Sequence, residues 1–378
     1  MSERTVVATP YAPTGATGGS RRVLSLLAAL DRLGPVTLVY VPFEGEEPSQ
    51  ELERLENLDL RAVRPSRGFR RLRTYADARR AGAPDSFARG ASSELADEAV
   101  AAAGSEGRIV ADGLSAAASL IGVMRRRPVV YCAQNLESGF RHELEGADGA
   151  AGLERFETLL LRLASQSWVP SPREVTLAHE LVAEADVRHI PNVVDVATIT
   201  VVSPRRGERR LLFAADHTYP PNRDALGWLV GEIMPAVWAR APESKLTLTG
   251  RGLPVGIAGH DPRIEALGFV DDLPAVYASS DVVLVPLRQG GGSPLKLIEA
   301  LACALPVVAT PKAAAGLELA AGEHYFEGED ATGLADAVVA ALGPEGDLVG
   351  SSGRTIAEQR YSVEALTELV RQTSLSKP

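Results

Sequence analysis

The chain has 378 residues, with 39 lysines and arginines against 49 aspartates and glutamates, a net charge of −10 at pH 7. That length predicts two domains rather than one core. Both halves are acidic, which excludes a protein that grips a nucleic-acid backbone by charge. Apolar content of 45% with 35 glycines and 25 prolines fits a globular α/β protein. No run approaches the roughly 18 apolar residues of a membrane span, and no basic segment leads into an apolar one at the start, so a cytoplasmic protein is expected. Only four basic residues are lysine, Lys245, Lys296, Lys312 and Lys377. This bias suits a GC-rich bacterial genome and makes Lys296 less of a casual choice. Cys132 and Cys303, in apolar surroundings, are expected to be buried thiols rather than a bridge or metal ligands.

In chain order, residues 5–9 predict a strand, followed by a loop with Gly15, Gly18 and Gly19. An amphipathic helix is expected over 23–33 and a second strand over 36–41. Those glycines do not spell the dinucleotide fingerprint, so a nicotinamide cofactor is a weak reading. Residues 61–89 are rich in arginine, with Phe69, Leu72 and Tyr75 three apart. Two readings stay open for this segment: a basic amphipathic helix touching an anionic membrane or acceptor, or a solvated face paired with acidic residues upstream. Further strands are expected over 108–112 and 128–133, the latter running into Gln134, Asn135, Leu136 and Glu137. A helix over 154–163, a strand over 167–171, a helix from Arg173 and the segment HIPNVVD (189–195) complete the first half. A polar linker over 202–209 leads to strands at 211–215 and 245–249. Loops follow these strands at 216–223 and at Gly250, Arg251 and Gly252. Asn222 is placed to cap the helix after the first loop. Helices are expected over 331–342, from Gly350, and over 362–372.

The most informative stretch is 281–310, DVVLVPLRQGGGSPLKLIEALACALPVVAT. Val282 to Val285 read as a strand buried on both faces of a parallel sheet. Gly290, Gly291 and Gly292 leave the backbone bare, and Ser293 and Pro294 are read as the N-cap and first residue of a helix. A helix start beyond a strand's carboxyl end is where α/β proteins hold phosphate. Lys296 beside unpaired N–H groups suits a diphosphate, and Glu299, on the same face, suits ribose hydroxyls.

These residues, with Ala300 and Leu305-Pro306-Val307-Val308, resemble the nucleotide-sugar motif of glycosyltransferase family 4, and closely its G-G-G-x-x-x-K-x-x-E-A branch. The resemblance implies an α/β, GT-B protein: two Rossmann-like domains facing across a cleft. Residues 1–200 would be the acceptor-side domain, 201–355 the nucleotide-sugar domain, and 356–378 a helix crossing back to the first. It implies a retaining transfer of sugar from a nucleoside diphosphate, uridine as first expectation, to an acceptor hydroxyl on a small natural product or a cell-envelope glycan. No metal or other cofactor is implied, and no nucleic acid. The catalytic set would be Gln134, Lys296 and Arg223. Gly18, Gly19, Arg251, Val270, Gly291, Gly292, Ser293 and Glu299 would bind donor, and Asn135 and Glu137 would lie on the acceptor side.

Three departures stand out. Gln134 occupies a place where relatives commonly carry histidine, so it cannot titrate. Gly291 replaces the first of two glutamates. Ala304 stands where a glycine usually ends the helix, at a cost on the order of 1 kcal/mol if the backbone there is left-handed. The resemblance also leaves room for a nucleotide-sugar epimerase or hydrolase, or for a binding protein that has lost catalysis.

Overall fold

The computed structural model describes residues 4–43, 46–202, 209–290 and 292–375. The chain divides into two units, residues 1–192 with 366–378, and residues 193–365.

In the first unit β1 (Thr5–Thr9), β2 (Val36–Tyr40), β3 (Leu58–Ala62), β4 (Arg108–Asp112), β5 (Val130–Cys132), β6 (Gln166–Val169) and β7 (Val187–His189) form a wholly parallel sheet in the order β3-β2-β1-β4-β5-β6-β7. In the second, β8 (Arg210–Ala214), β9 (Lys245–Thr249), β10 (Ile264–Gly268), β11 (Val282–Val285), β12 (Val307–Ala309) and β13 (Phe326–Glu327) are parallel in the order β10-β9-β8-β11-β12-β13. Central strands such as β1, β2 and β11 are buried along their whole length. A parallel sheet needs this, because its crossover helices cover both faces. Each order reverses once, between β1 and β4 and between β8 and β11. At such a reversal neighbouring loops splay apart at the carboxyl ends of the strands and leave a crevice.

The predicted elements hold, with shifts that have local causes. The first helix begins at Gly18, where Thr17 caps it by accepting from Ser20 N; its first turn is polar and escapes an apolar-periodicity reading. The helix before β6 runs Glu137–Leu163, its first half carrying the charged residues that conceal it. The edge strands β3, β10 and β13 are too short or too polar to be seen as apolar runs. The segment 69–80 is a helix whose arginines meet acids: Arg70 pairs with Glu94 and Asp97, Arg80 with Asp77, and Arg61, at the end of β3, with Asp59 and Glu98. Phe69 and Leu72 stay exposed. Cys132 and Cys303 are free, buried thiols. Among the described residues no helix is long and apolar enough to cross a membrane. Most of the linker expected at 202–209 lies outside the described residues.

The helix after β8 starts at Pro220, with Pro221 next and Tyr219 at the N-cap. Proline's locked φ and missing N–H suit those first positions. Asn222 therefore sits inside the first turn and is not the cap. Downstream, Leu229–Ile233 widens into a π turn, with Met234 N–H reaching back to Leu229 O, before the α-helix resumes over Met234–Arg240. Pro235 offers no N–H and would crowd the carbonyl of Gly231 in a regular helix; the wide turn relieves that contact.

The helix Leu295–Ala302 ends in a paired closing motif. Leu305 N donates to Ala300 O at 3.1 Å and Ala304 N to Leu301 O at 2.9 Å, with Ala304 at φ 60. This geometry wants glycine, and alanine holds it against steric repulsion by Cβ. Ala304→Gly is expected to stabilise the protein by up to about 1 kcal/mol, read as a higher urea midpoint with an unchanged slope; a lower midpoint would show that the alanine methyl is needed.

Candidate functional site

In the second unit the chain leaves β11 through residues 286–294. Gly290 and Gly292 adopt φ of 115 and 68, values that a Cβ would oppose, while Gly291 lies outside the described residues. Helix 295–302 has Pro294 at its N-cap with no side-chain cap. This corrects the expectation by one residue: Ser293 is not the cap, because the extended backbone of Pro294 still belongs to the loop. Ser293 is buried just ahead of it. Gly292 and Ser293 rest on Gly316, where a Cβ would stand 1.9 Å from Gly292 O.

Lys296 and Glu299 are each held by a partner. Lys296 Nζ donates to Asn222 Oδ1 at 2.6 Å and stands 5.0 Å from the centroid of the Phe213 ring. Asn222 Nδ2 in turn donates to Asp216 O at 2.8 Å, which fixes the amide so that its carbonyl faces the lysine. Burial pulls the Lys296 pKa down to about 7, against the smaller upward pull of Glu299 and Asp216. Glu299, 8% exposed, accepts from Tyr277 Oη at 3.0 Å.

The loops after β8, β9 and β10 interlock beside this group. Gly250, at φ 121, lies where a Cβ would fall 1.8 Å from Ala215 O, and its N–H donates to Gly268 O at 2.7 Å. His217 is fully buried and places Nε2 3.2 Å from Thr249 O. A carbonyl only accepts, so Nε2 carries the proton, and burial lowers the pKa to keep the ring neutral. The Arg251 guanidinium lies 4.9 Å over the exposed Phe269, and Val270 follows, half-buried. Arg223 Nε reaches His217 O at 3.4 Å. It also lines a cavity of about 630 Å³ with Leu226, Val230, Trp238, His260 and Arg263, a lining that takes in none of residues 290–299. Of the residues expected on the donor side, Lys296, Glu299, Gly292 and Ser293 thus share one loop and helix, Arg251 and Val270 share the neighbouring loops, and Arg223 turns toward a different space.

The first unit gathers Gln134, Gly18 and Gly19 at the carboxyl ends of β1, β4 and β5. Gln134 Nε2 donates to Tyr11 Oη at 2.6 Å and to Asp112 Oδ2 at 3.0 Å, and Tyr11 Oη donates to Asp112 Oδ2 at 3.2 Å. Gly19 leaves room for this amide: a Cβ there would stand 2.4 Å from Gln134 Oε1. Asp112 is wholly buried, and desolvation raises its pKa to about 6 against the opposing pull of Arg22 and its two hydrogen bonds. Arg22 donates to Asn192 Oδ1 at 2.8 Å.

The segment carrying Gln134, Asn135 and Glu137, where a loop enters the helix Glu137–Leu163, is pinned by two buried carboxylates. Glu174 accepts from Leu136 N at 2.8 Å, and Glu157 accepts from Glu137 N at 2.7 Å and Ser138 N at 3.0 Å. The Glu137 side chain stays half-exposed beside Asn135, which hydrogen-bonds it. Tyr11, Asp112, Glu157, Glu174, Tyr277 and Gly316 were all missed by sequence reasoning. A strand-terminal aspartate such as Asp112 was the one available signal, and helical glutamates look like solvent-facing charge until a fold buries them. Among the described residues no cluster of His, Cys, Asp and Glu could hold a metal ion.

Residues 208–343, which carry Lys296 and Glu299, match the family described as Glycosyl transferases group 1. A phosphatidyl-myo-inositol mannosyltransferase of Mycobacterium leprae (strain TN) is 32% identical over 170 residues, covering 42% of this chain and 45% of that protein. The match therefore spans less than half the length of that relative. Among solved structures, sucrose-phosphate synthase from Thermosynechococcus elongatus superposes with a TM-score of 0.74 at 18% identity over all of both chains. Anabaena HepE in complex with UDP and glucose superposes with a TM-score of 0.70 at 16% identity, again over the whole of both chains. The fold is that of the GT-B glycosyltransferases. The two Rossmann-like domains expected from the motif are thus present.

Two outcomes follow from these contacts. Gly316→Ala should push Gly292 aside at a cost of about 1–3 kcal/mol, measured as a lower urea midpoint; an unchanged midpoint would mean that the loop yields freely. Glu157 has a pKa raised by burial to about 7. A carboxyl raised in the folded state stabilises below its unfolded value near 4.5, and that contribution is lost as pH climbs through about 7. Glu157→Gln should flatten the fall in melting temperature across that window, and a profile as steep as the parent's would refute the assignment.

Proposed function

We propose that the protein is a retaining glycosyltransferase that moves a sugar from a nucleoside diphosphate, uridine first among the bases, to an acceptor hydroxyl. The observation that carries this reading is the Lys296 ammonium, drawn out of water beside the uncapped start of helix 295–302 and next to glycines that leave the main chain open to a ligand. A group desolvated in this way gains most when an anion arrives. As the bond between sugar and phosphate loosens, charge grows on the leaving diphosphate. Lys296 and the N–H groups at the helix start are placed to meet it, so that this chain's own groups rather than a metal supply the stabilisation. Glu299, oriented by Tyr277, would accept from ribose hydroxyls, and the loops carrying Arg251 and Val270 would take the base. The departing phosphate oxygen would accept the acceptor's proton. That assignment suits position 134, where glutamine has no proton to exchange, and it counts against an epimerase or hydrolase reading.

The family match over the site segment and the HepE complex with UDP support the donor class. For the acceptor, the mannosyltransferase relative is named for a phosphatidyl-myo-inositol, which favours a hydroxyl on a membrane-borne acceptor of the cell envelope. Exposed Phe69 and Leu72 on the arginine-rich helix Phe69–Arg80 offer a surface that would rest on an anionic membrane bearing such an acceptor.

Incubation with a panel of nucleoside diphosphate sugars, with and without acceptor extracts, tests the reading. Slow release of diphosphate from one donor, accelerated by acceptor, is expected. Lys296→Ala should lower turnover by about 100- to 1,000-fold with an unaltered circular dichroism spectrum, and near-normal transfer would overturn the assignment. Because Lys296 titrates near pH 7 when the site is empty, binding of uridine diphosphate at pH 8 should draw a proton from solvent onto the Lys296 amine. Calorimetry in buffers of different ionisation enthalpy reads that proton, and Lys296→Ala should abolish it.

A further inference from the structure

The amide of Gln134 is oriented by its surroundings. Both N–H bonds of Nε2 are spent inward, one on Tyr11 Oη and one on Asp112 Oδ2. Tyr11 accepts from the amide and donates its own O–H to the same carboxylate oxygen. Turning the amide over would set Oε1 in place of Nε2, 3.0 Å from a buried carboxylate oxygen, two acceptors facing each other where water cannot separate them. The backbone of Tyr11 is itself fixed, since Thr9 Oγ1 donates to Tyr11 O at 2.6 Å. Oε1 takes no hydrogen bond from the described residues and lies over the bare Cα of Gly19, in the first turn of the first helix of this unit.

We infer that Tyr11 and Asp112 are positioning residues that lock Gln134 with its carbonyl oxygen outward, so that position 134 selects a ligand group that donates a hydrogen bond, a sugar hydroxyl, over one that only accepts. The inference rests on the transferase reading for the identity of the ligand, but not for the orientation of the amide. Glutamine at this place is therefore not a neutral copy of a histidine that could offer either sense. The network gives it one polarity. The groups facing Asp112 are Tyr11 from the loop after β1, Arg22 from helix 18–31, and Cys132 and Tyr131 from β5.

Two arms test this. The first needs no ligand. Gln134→Glu places a second carboxylate where the amide nitrogen stood, so its melting temperature should fall below the parent's by about 4 °C or more at pH 8 and by less at pH 5, where the pair can share a proton. Adding Asp112→Asn restores a donor between the two positions and should recover the loss. A Gln134→Glu variant as stable as the parent at pH 8, or no recovery in the double variant, overturns the locked amide. The second arm measures affinity for UDP-glucose and for its deoxy and deoxyfluoro analogues at each sugar position. At the position where Gln134→Ala makes the analogues equivalent to the parent sugar, fluorine should be as poor as hydrogen, each weaker by about tenfold. Fluorine accepts but does not donate, so a fluoro sugar bound like UDP-glucose overturns the inference. If UDP-glucose fails to bind at all, the transferase reading with this donor falls and takes the ligand selectivity with it, while the first arm still decides the orientation of the amide.

Discussion

An ammonium group on a lysine side chain normally keeps to water, and in this protein one has been brought onto a single amide carbonyl above an aromatic ring. Lys296, Asn222 and Phe213 come from three separate elements of the second unit: the helix after β11, the helix after β8, and β8 itself. Their meeting depends on the sheet order, because β8 and β11 are neighbours across the point where the winding reverses. A different order would leave the lysine solvated and ordinary. Burial at this place costs the charged form, and that cost is relieved when an anion supplies the missing counter-charge. The strand order alone therefore fixes where this poorly solvated charge sits.

The first unit uses the same topological device with the opposite sign. Where β1 and β4 adjoin, the buried group is a carboxylate, Asp112, which organises Tyr11 and Gln134 around itself with Arg22 nearby. Two further carboxylates, Glu157 and Glu174, take up the backbone N–H groups of Leu136, Glu137 and Ser138, where the next loop enters its helix, and cap that junction. Buried acids with several donors each are expensive to desolvate and strongly directional once paired. They give a loop of irregular backbone the stiffness of a secondary element.

Much of this could be read from the amino acids, and the reasons for the exceptions are specific. The strand at 282–285, the glycine loop and the Lys296–Glu299 pair were legible because each rests on local rules: apolar runs, bare backbone, helical spacing. Ala304 was legible even as a departure, since the left-handed turn it occupies follows from where the helix must stop. Asn222 was misplaced as a cap because the two prolines before it already start the helix, and Ser293 because Pro294 continues the loop by one residue. Tyr277, Gly316 and Asp112 owe their importance to residues 22, 24 and 22 positions away. No local pattern reports a partner at that distance; only the assembled sheet does.

The widened turn at Leu229–Ile233 has a consequence of its own for the helix that contains it. Its buried positions Ala225, Leu229, Ile233 and Val237 repeat every four residues, whereas a regular α-helix of 3.6 residues per turn would rotate such a repeat by about 40° at each step, about 120° in all. One turn that accommodates an additional residue absorbs part of this angular slippage and keeps a single stripe in the apolar core of the second unit. A homologue with an uninterrupted helix must be one residue shorter there or shift its stripe, so a lone gap in an alignment at 229–233 would mark which lineages carry the bulge.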